Sequence, residues 1–124
     1  MQQKILLVDD IKFVLELEKE LFKEIEKEKN LVFEIETAST VKEAFKRLEN
    51  RVYDLLITDM NLPDGDGSEI AKEAKKKSSG KTKLVALTTM PIAFEDKKEF
   101  FDDFITKPTL PRDIKMHLIQ LVSI

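Results

Sequence analysis

Residues 55–67, LLITDMNLPDGDG, join an apolar run that ends on Asp59 to a loop that contains Pro63, Gly65 and Gly67. Apolar and β-branched residues that lead into a carboxylate predict a buried central strand over residues 53–58, which brings Asp59 to the rim of a sheet. In open parallel α/β sheets, ligands bind at that rim. Asp59 is therefore the first candidate for a reactive group.

Four further short segments have strand character. They are 5–8, which is followed by Asp9 and Asp10; 32–36; 84–87, which is followed by Thr88; and 104–106, which is followed by Lys107. Unbroken apolar runs such as 5–8 are typical of parallel strands that are covered on both faces. Segment 32–36 instead alternates apolar and acidic residues, so we expect it to form an edge strand with one wet face.

Segments with helical periodicity lie between these strands. A long first helix is predicted over 11–29, because Val14, Leu17, Leu21 and Ile25 share one face. Capping signatures at Thr40 with Glu43, and at Asp66 with Glu69, predict the next two helices. The third helix is expected to end near Ser78-Ser79-Gly80. After Pro91 a short helix carrying Phe94, Phe100 and Phe101 is predicted, and after Pro111 a last helix with inward-facing Ile114, Leu118, Leu121 and Val122.

Five strands that alternate with helices predict a doubly wound α/β fold. The expected architecture is a three-layer, flavodoxin-like sandwich: a five-stranded parallel sheet of order 2-1-3-4-5 with helices on both faces. The sequence has no linker, repeat or low-complexity segment, so residues 1–124 are expected to form one domain, without a visible output domain.

Composition narrows the function classes. The chain has 124 residues, 42% of them hydrophobic, a net charge of -3 and no cysteine, so disulfide and thiolate chemistry are excluded. No signal peptide or spanning segment is evident, and a cytoplasmic protein is expected. Nothing in this overall charge indicates binding to nucleic acid or anionic membranes. A solvated surface is the favoured interpretation of the one lysine-rich stretch, which has no aromatic residue within it: Lys72, Lys75, Lys76, Lys77, Lys81 and Lys83.

The residues that follow the strands carry complementary chemistry: Asp9, Asp10, Asp59, Thr88 and Lys107. Because parallel strands end at one edge, we expect them to converge there. A divalent cation would relieve the repulsion among three carboxylates, and oxygen ligands alone favour Mg²⁺ over zinc. A carboxylate can attack phosphorus to form an aspartyl phosphate. Mg²⁺ and Lys107 would neutralise the phosphoryl oxygens, and the Thr88 hydroxyl could donate a hydrogen bond to one of them.

In this order and on this pattern, these residues resemble the receiver domain of two-component response regulators, particularly the single-domain chemotaxis-regulator type. The resemblance spans essentially the whole chain. It rests on Asp9-Asp10, Thr58-Asp59-Met60-Asn61-Leu62-Pro63, Gly65, Gly67, Thr88 and Lys107-Pro108.

The resemblance implies that Asp59 is the phosphoacceptor. It also implies that Mg²⁺ is bound by Asp10, Asp59 and the backbone carbonyl of Asn61, with Asp9 contributing through water. Lys107 and Thr88 would contact the phosphoryl group.

Phe104 falls where such domains carry a switch aromatic that turns inward as Thr88 moves. The implied phosphodonor is a histidine kinase or phosphotransfer protein, or a small acyl phosphate, and the implied output is binding to a downstream protein. The resemblance implies no direct nucleic-acid or membrane binding, and no enzymatic activity beyond the domain's own phosphorylation and dephosphorylation.

Two other functions stay open. A phosphohydrolase with an aspartyl nucleophile usually needs an acid/base aspartate two residues after it, where this chain has Asn61. A non-phosphorylated interaction module would not need the intact acidic set. An EF-hand is excluded, because Pro63, Asp64 and Ile70 replace required ligands or glycine. Asp64 and Asp66 are expected to be turn and cap residues, and the single histidine, His117, a residue of the last helix.

Overall fold

The computed structural model describes residues 2–88, 91–106 and 111–122, with the backbone alone for residues 91–95. Five strands form its main sheet: β1 (Gln2–Val8), β2 (Val32–Ala38), β3 (Leu55–Asp59), β4 (Lys83–Thr88) and β5 (Asp103–Thr106). Their order is β2-β1-β3-β4-β5, and all neighbouring pairs are parallel. The predicted order is confirmed, and β2 lies at an edge as its alternating pattern indicated.

Helices follow the strands in turn. They are α1 (Lys12–Lys29), α2 (Val41–Asn50), α3 (Gly67–Ser78), a 3₁₀ helix (Pro91–Phe100) and α4 (Pro111–Val122). A small antiparallel hairpin pairs Asn61–Leu62 with Gly65–Asp66 between β3 and α3. Among the described residues, no helix combines the length and the apolar character needed to cross a membrane.

Two apolar clusters fill the space on either side of the sheet, because successive strand residues point to opposite faces. On one face α1 and α4 pack against β1 and its neighbours through a cluster that includes Ile5, Leu7, Phe22, Ile57 and Leu118. On the other face α2 and α3 pack through Leu6, Val8, Leu48, Leu56 and Ile70. The predicted three-layer arrangement is therefore confirmed.

Charged side chains line the exposed edge of the sheet. Nη1 of Arg51 lies 3.0 Å from Oε2 of Glu34 on β2. The hydroxyl of the buried Tyr53 donates a hydrogen bond to the Glu36 carboxylate. Burial and this hydrogen bond raise the pKa of Tyr53. Edge strands that carry paired charges resist edge-to-edge association with another sheet.

Several boundaries differ from the sequence-based expectation. β3 begins at Leu55 rather than at residue 53, because the Tyr53 carbonyl accepts from the Thr82 hydroxyl (2.6 Å). The helix after β4 is a 3₁₀ helix, and Phe101 lies just beyond it. The Asp102 carboxylate accepts from the Leu84 amide and so holds the turn before β5 against the start of β4 (2.7 Å). The predicted side-chain position of Phe94 lies outside the described residues.

Candidate functional site

Asp59 ends β3 in a tightly bonded stretch of backbone. It is 9% exposed and pairs with Leu87 of β4. The next amide, that of Met60, donates to the Leu87 carbonyl (3.3 Å), and the Thr58 hydroxyl donates to the Asp59 carbonyl (2.9 Å). The Asn61 amide donates to Oδ1 of Asp59 (3.3 Å). The backbone on both sides of this carboxylate is therefore fixed.

The start of α3 lies directly against the end of β3. The Gly67 amide donates to the Met60 carbonyl (3.1 Å). A Cβ at position 67 would lie 2.6 Å from the Asp59 carbonyl oxygen and 2.9 Å from Cγ2 of Thr58. Only glycine allows this approach, so the close packing explains why Gly67 belongs to the site.

Two more carboxylates reach the same place from β1. The Asp9 amide donates to the Ala38 carbonyl of β2 (3.1 Å), and Oδ1 of Asp9 accepts from the Ile11 amide (2.9 Å). Asp9 is fully buried, whereas Asp10 is exposed. One carboxylate oxygen from each of Asp9, Asp10 and Asp59 lies within 4.8 Å of the other two. The predicted convergence of the three acids is confirmed.

This donor set fits a hard cation. All three side chains offer oxygen, with no histidine or cysteine, and such ligands suit Mg²⁺ rather than zinc. The exposure of Asp10 leaves one side of the cluster open to solvent, and Mg²⁺ usually keeps several of its waters. A cavity of about 260 Å³ adjoins the cluster and is lined by residues that include Asp9, Asp10, Lys12, Ser39 and Glu43.

The other predicted site residues lie on the neighbouring strands. Thr88 is buried at the end of β4, one residue beyond the partner of Asp59, and pairs with Thr106 of β5. Phe104 is half-buried on β5, with its ring centroid 5.5 Å from that of Phe101. Asn61 is exposed. Lys107 and Pro108 lie outside the described residues, so the role of Lys107 stays a prediction.

The loop after Asp59 has partners that the sequence did not reveal. The Asp64 carboxylate accepts from the amides of Val41 (2.8 Å) and Lys42 (3.0 Å) at the start of α2. These two backbone hydrogen bonds lower the pKa of Asp64. Asp64 is 23 residues from Val41, and no local pattern in the sequence could have paired them. Its expected role as a turn residue therefore extends to capping a second helix.

Asp66 caps α3 and also pairs with Lys97 of the 3₁₀ helix. Its carboxylate accepts from the Ser68 amide (2.8 Å), and Glu69 completes the predicted capping box. Burial raises the pKa of Asp66, but hydrogen bonds from Lys97 and Ser68 outweigh burial and leave the pKa below its usual value. The loop that carries the site is thereby connected to the 3₁₀ helix.

The fold and the acidic cluster define a receiver domain: the family model of the response regulator receiver domain matches residues 5–119, and the chain belongs to that family. Among its relatives, the transcriptional regulatory protein CiaR of Streptococcus pneumoniae is 33% identical over 86 residues, which cover 66% of this chain and 38% of CiaR. The alkaline phosphatase synthesis transcriptional regulatory protein PhoP of Bacillus subtilis is 31% identical over 121 residues, which cover 92% of this chain and 46% of PhoP. The chain thus spans less than half the length of either relative.

Solved structures show the same fold. The chemotaxis response regulator CheY4 of Vibrio cholerae superposes with a TM-score of 0.82 at 25% identity, covering 98% of this chain and all of that one. The response regulator TrrA of Thermotoga maritima, solved in complex with Mg²⁺-BeF, gives a TM-score of 0.80 at 30% identity, covering 97% of this chain and 99% of that one.

Proposed function

We propose that this receiver domain accepts a phosphoryl group on Asp59 in a Mg²⁺-dependent reaction and passes the signal on through its surface. The observation that carries the proposal is the convergence of Asp9, Asp10 and Asp59, whose carboxylate oxygens lie within 4.8 Å of one another. Three carboxylates this close together at the rim of a parallel sheet repel one another, and a bound cation would relieve that repulsion, as a metal-assisted phosphoacceptor requires.

Asp9, Asp10, Asp59 and the backbone carbonyl of Asn61 would hold Mg²⁺, with Asp9 acting through water. When bound, Mg²⁺ neutralises charge on the phosphoryl oxygens. The all-oxygen donor set supports this assignment. The Mg²⁺-BeF complex of TrrA supports it as well, since TrrA is 30% identical to this chain over almost the whole length.

The chain's own residues do the remaining work. An Asp59 carboxylate oxygen forms a bond to phosphorus while the bond between phosphorus and the donor breaks and the donor leaves. The Asn61 amide, 3.3 Å from Oδ1 of Asp59, orients the carboxylate for this attack. The Thr88 hydroxyl donates to a phosphoryl oxygen, and Lys107 supplies a positive charge beside it.

The domain receives and transmits the signal through contacts with other proteins. A histidine kinase or phosphotransfer protein in the cytoplasm supplies the phosphoryl group, and an acyl phosphate can replace it. Thr88 and Phe104 change position after phosphorylation, and a downstream protein recognises the altered surface. The domain catalyses only its own phosphorylation and dephosphorylation.

Intact mass spectrometry after incubation with acetyl phosphate tests the proposal. The wild-type chain should gain one phosphoryl group with Mg²⁺ and none with EDTA. Asp59→Asn should gain none, whereas Asp64→Asn, which removes a nearby carboxylate outside the cluster, should be phosphorylated.

An adduct that persists in Asp59→Asn would contradict the assignment. Steady phosphate release from phosphomonoesters would indicate a phosphohydrolase. The absence of an adduct with acetyl phosphate, phosphohistidine protein and phosphoramidate alike would indicate an interaction module.

A further inference from the structure

A groove between α3 and the 3₁₀ helix combines an apolar floor with a basic rim. Its volume is about 340 Å³, and it is lined by Ala71, Lys72, Lys75, Lys76 and Phe100. Ala71 is fully buried and Phe100 half-buried, while the three lysines are exposed. The lysines share one helix face, because residues three and four apart are neighbours on a helix surface.

The charge of this groove is not neutralised from within the described part of the chain. Among the described side chains, Lys72, Lys75 and Lys76 form no ion pair, whereas Lys97 and Lys115 both contact carboxylates. The ammonium group of Lys72 lies instead 4.4 Å from the centroid of the Phe100 ring. A locally positive surface therefore stands on a chain whose net charge is -3.

The stabilising effect of lysines at the carboxyl end of α3 explains only some of the lysines in the groove. Lys75 and Lys76 lie in the last turn, where cations stabilise a helix. Lys72 lies a turn earlier and is held against an aromatic ring from another element. The lysine-rich stretch itself contains no aromatic residue, and the ring comes from Phe100, which is 28 residues from Lys72 in sequence.

We propose that this groove binds an acidic segment of a partner protein, with one apolar side chain against Phe100 and flanking carboxylates on the lysines. Charge complementarity selects an acidic partner. A nucleic acid fits less well, because a base would have to stack on Phe100, the only aromatic ring among the described residues that line the groove, and Lys72 occupies a face of that ring. The proposal does not depend on phosphorylation of Asp59.

Fluorescence polarisation with a labelled peptide of alternating Glu and Leu tests the groove. The wild-type chain should bind this peptide, and Lys72→Glu/Lys76→Glu should weaken binding by about tenfold or more, since two attractions become repulsions. The matched control is Lys23→Glu/Lys27→Glu, which changes two exposed lysines at the same spacing on α1. The control should bind the peptide within about twofold of wild type. Circular dichroism melting verifies that all variants fold.

Three outcomes would overturn the proposal. The first is no binding of the peptide by the wild-type chain at about 50 mM salt, where exposed charges are weakly screened. The second is an equal loss of affinity in the two double variants, which would show that net charge alone is responsible. The third is a single-stranded oligonucleotide of the same charge that binds more tightly than the peptide and loses affinity in Lys72→Glu/Lys76→Glu, which would assign the groove to nucleic acid.

Discussion

At residue 67 the absence of a side chain determines how closely α3 approaches β3, the strand that ends on Asp59. We expect Gly67→Ala to lower the free energy of unfolding by about 1–3 kcal/mol, because overpacking must displace backbone. The new Cβ would lie 2.6 Å from the Asp59 carbonyl oxygen, and that atom cannot rotate away. Urea denaturation measures the loss of stability. The rate of phosphorylation by acetyl phosphate should fall as well, because the backbone of Asp59 moves.

Gly65→Ala is the matched control for this substitution. Its Cβ would lie 2.3 Å from Oε2 of Glu69, the far end of a flexible side chain, and 3.1 Å from Cγ2 of Val41. The glutamate can adopt another rotamer at the cost of its hydrogen bond to the Asp66 amide. A smaller loss of stability than in Gly67→Ala is therefore expected, and the opposite ranking would show that β3 and α3 do not constrain each other as the distances indicate.

At the scale of elements, the start of α2 is held by a residue of the site loop. Asp64→Asn should lower the melting temperature at pH 7 by a few degrees, because the charged acceptor for the Val41 and Lys42 amides is lost. Glu16→Gln, the same charge change on an exposed residue of α1, should leave the melting temperature almost unchanged. Thermal unfolding followed by circular dichroism measures both.

The pH dependence of this effect has a defined sign. The native pKa of Asp64 lies below its ordinary value of 3.8, so its stabilising contribution is present above pH 3.8 and is lost as the pH falls through the native pKa. The difference in stability between wild type and Asp64→Asn should therefore be constant near neutral pH and shrink in acid. A difference that stays constant down to the native pKa would show that the carboxylate charge is not involved.

Local sequence patterns predicted the helices and strands, whereas contacts between residues far apart in sequence could not be predicted. The capping box of Asp66 and Glu69 was predictable because its partners lie within three residues. At α2 the same pattern was only half right, since Thr40 caps the helix while Glu43 accepts from the Ser39 hydroxyl instead (3.3 Å). The contact between Asp64 and Val41 joins distant segments, and no periodicity encodes it.

The acidic site was predictable for a related reason. Asp9 and Asp10 follow β1 and Asp59 ends β3, and parallel pairing brings strand ends together without any knowledge of side-chain contacts. The role of Phe104 as a switch was not predictable from pattern alone, because a core aromatic and a switch aromatic occupy the same kind of position. Its half-buried place beside Phe101 leaves room for either role, and the switch stays a prediction.

At the scale of the whole molecule, an ion pair connects two segments that both begin at the rim of the sheet next to the site. The site loop leads to the capping residue Asp66, and the strand that ends at Thr88 leads to the 3₁₀ helix with Lys97. Lys97 donates a hydrogen bond to Asp66, which raises the pKa of Lys97, although burial opposes the increase. The pair joins residues 31 positions apart and connects the acidic site to the groove formed with α3.

Removing this ion pair should loosen the 3₁₀ helix more than any other element. In Lys97→Ala, hydrogen–deuterium exchange at the amides of residues 92–100 should accelerate severalfold, while the amides of β1 and β3 exchange as in wild type, because those strands lie in the core. Lys97→Arg keeps a cation at this position and should preserve protection. Lys77→Ala removes an exposed lysine of α3 and serves as the charge-matched control. Equal acceleration in Lys97→Ala and Lys77→Ala would show that net charge, rather than the contact with Asp66, holds the 3₁₀ helix in place.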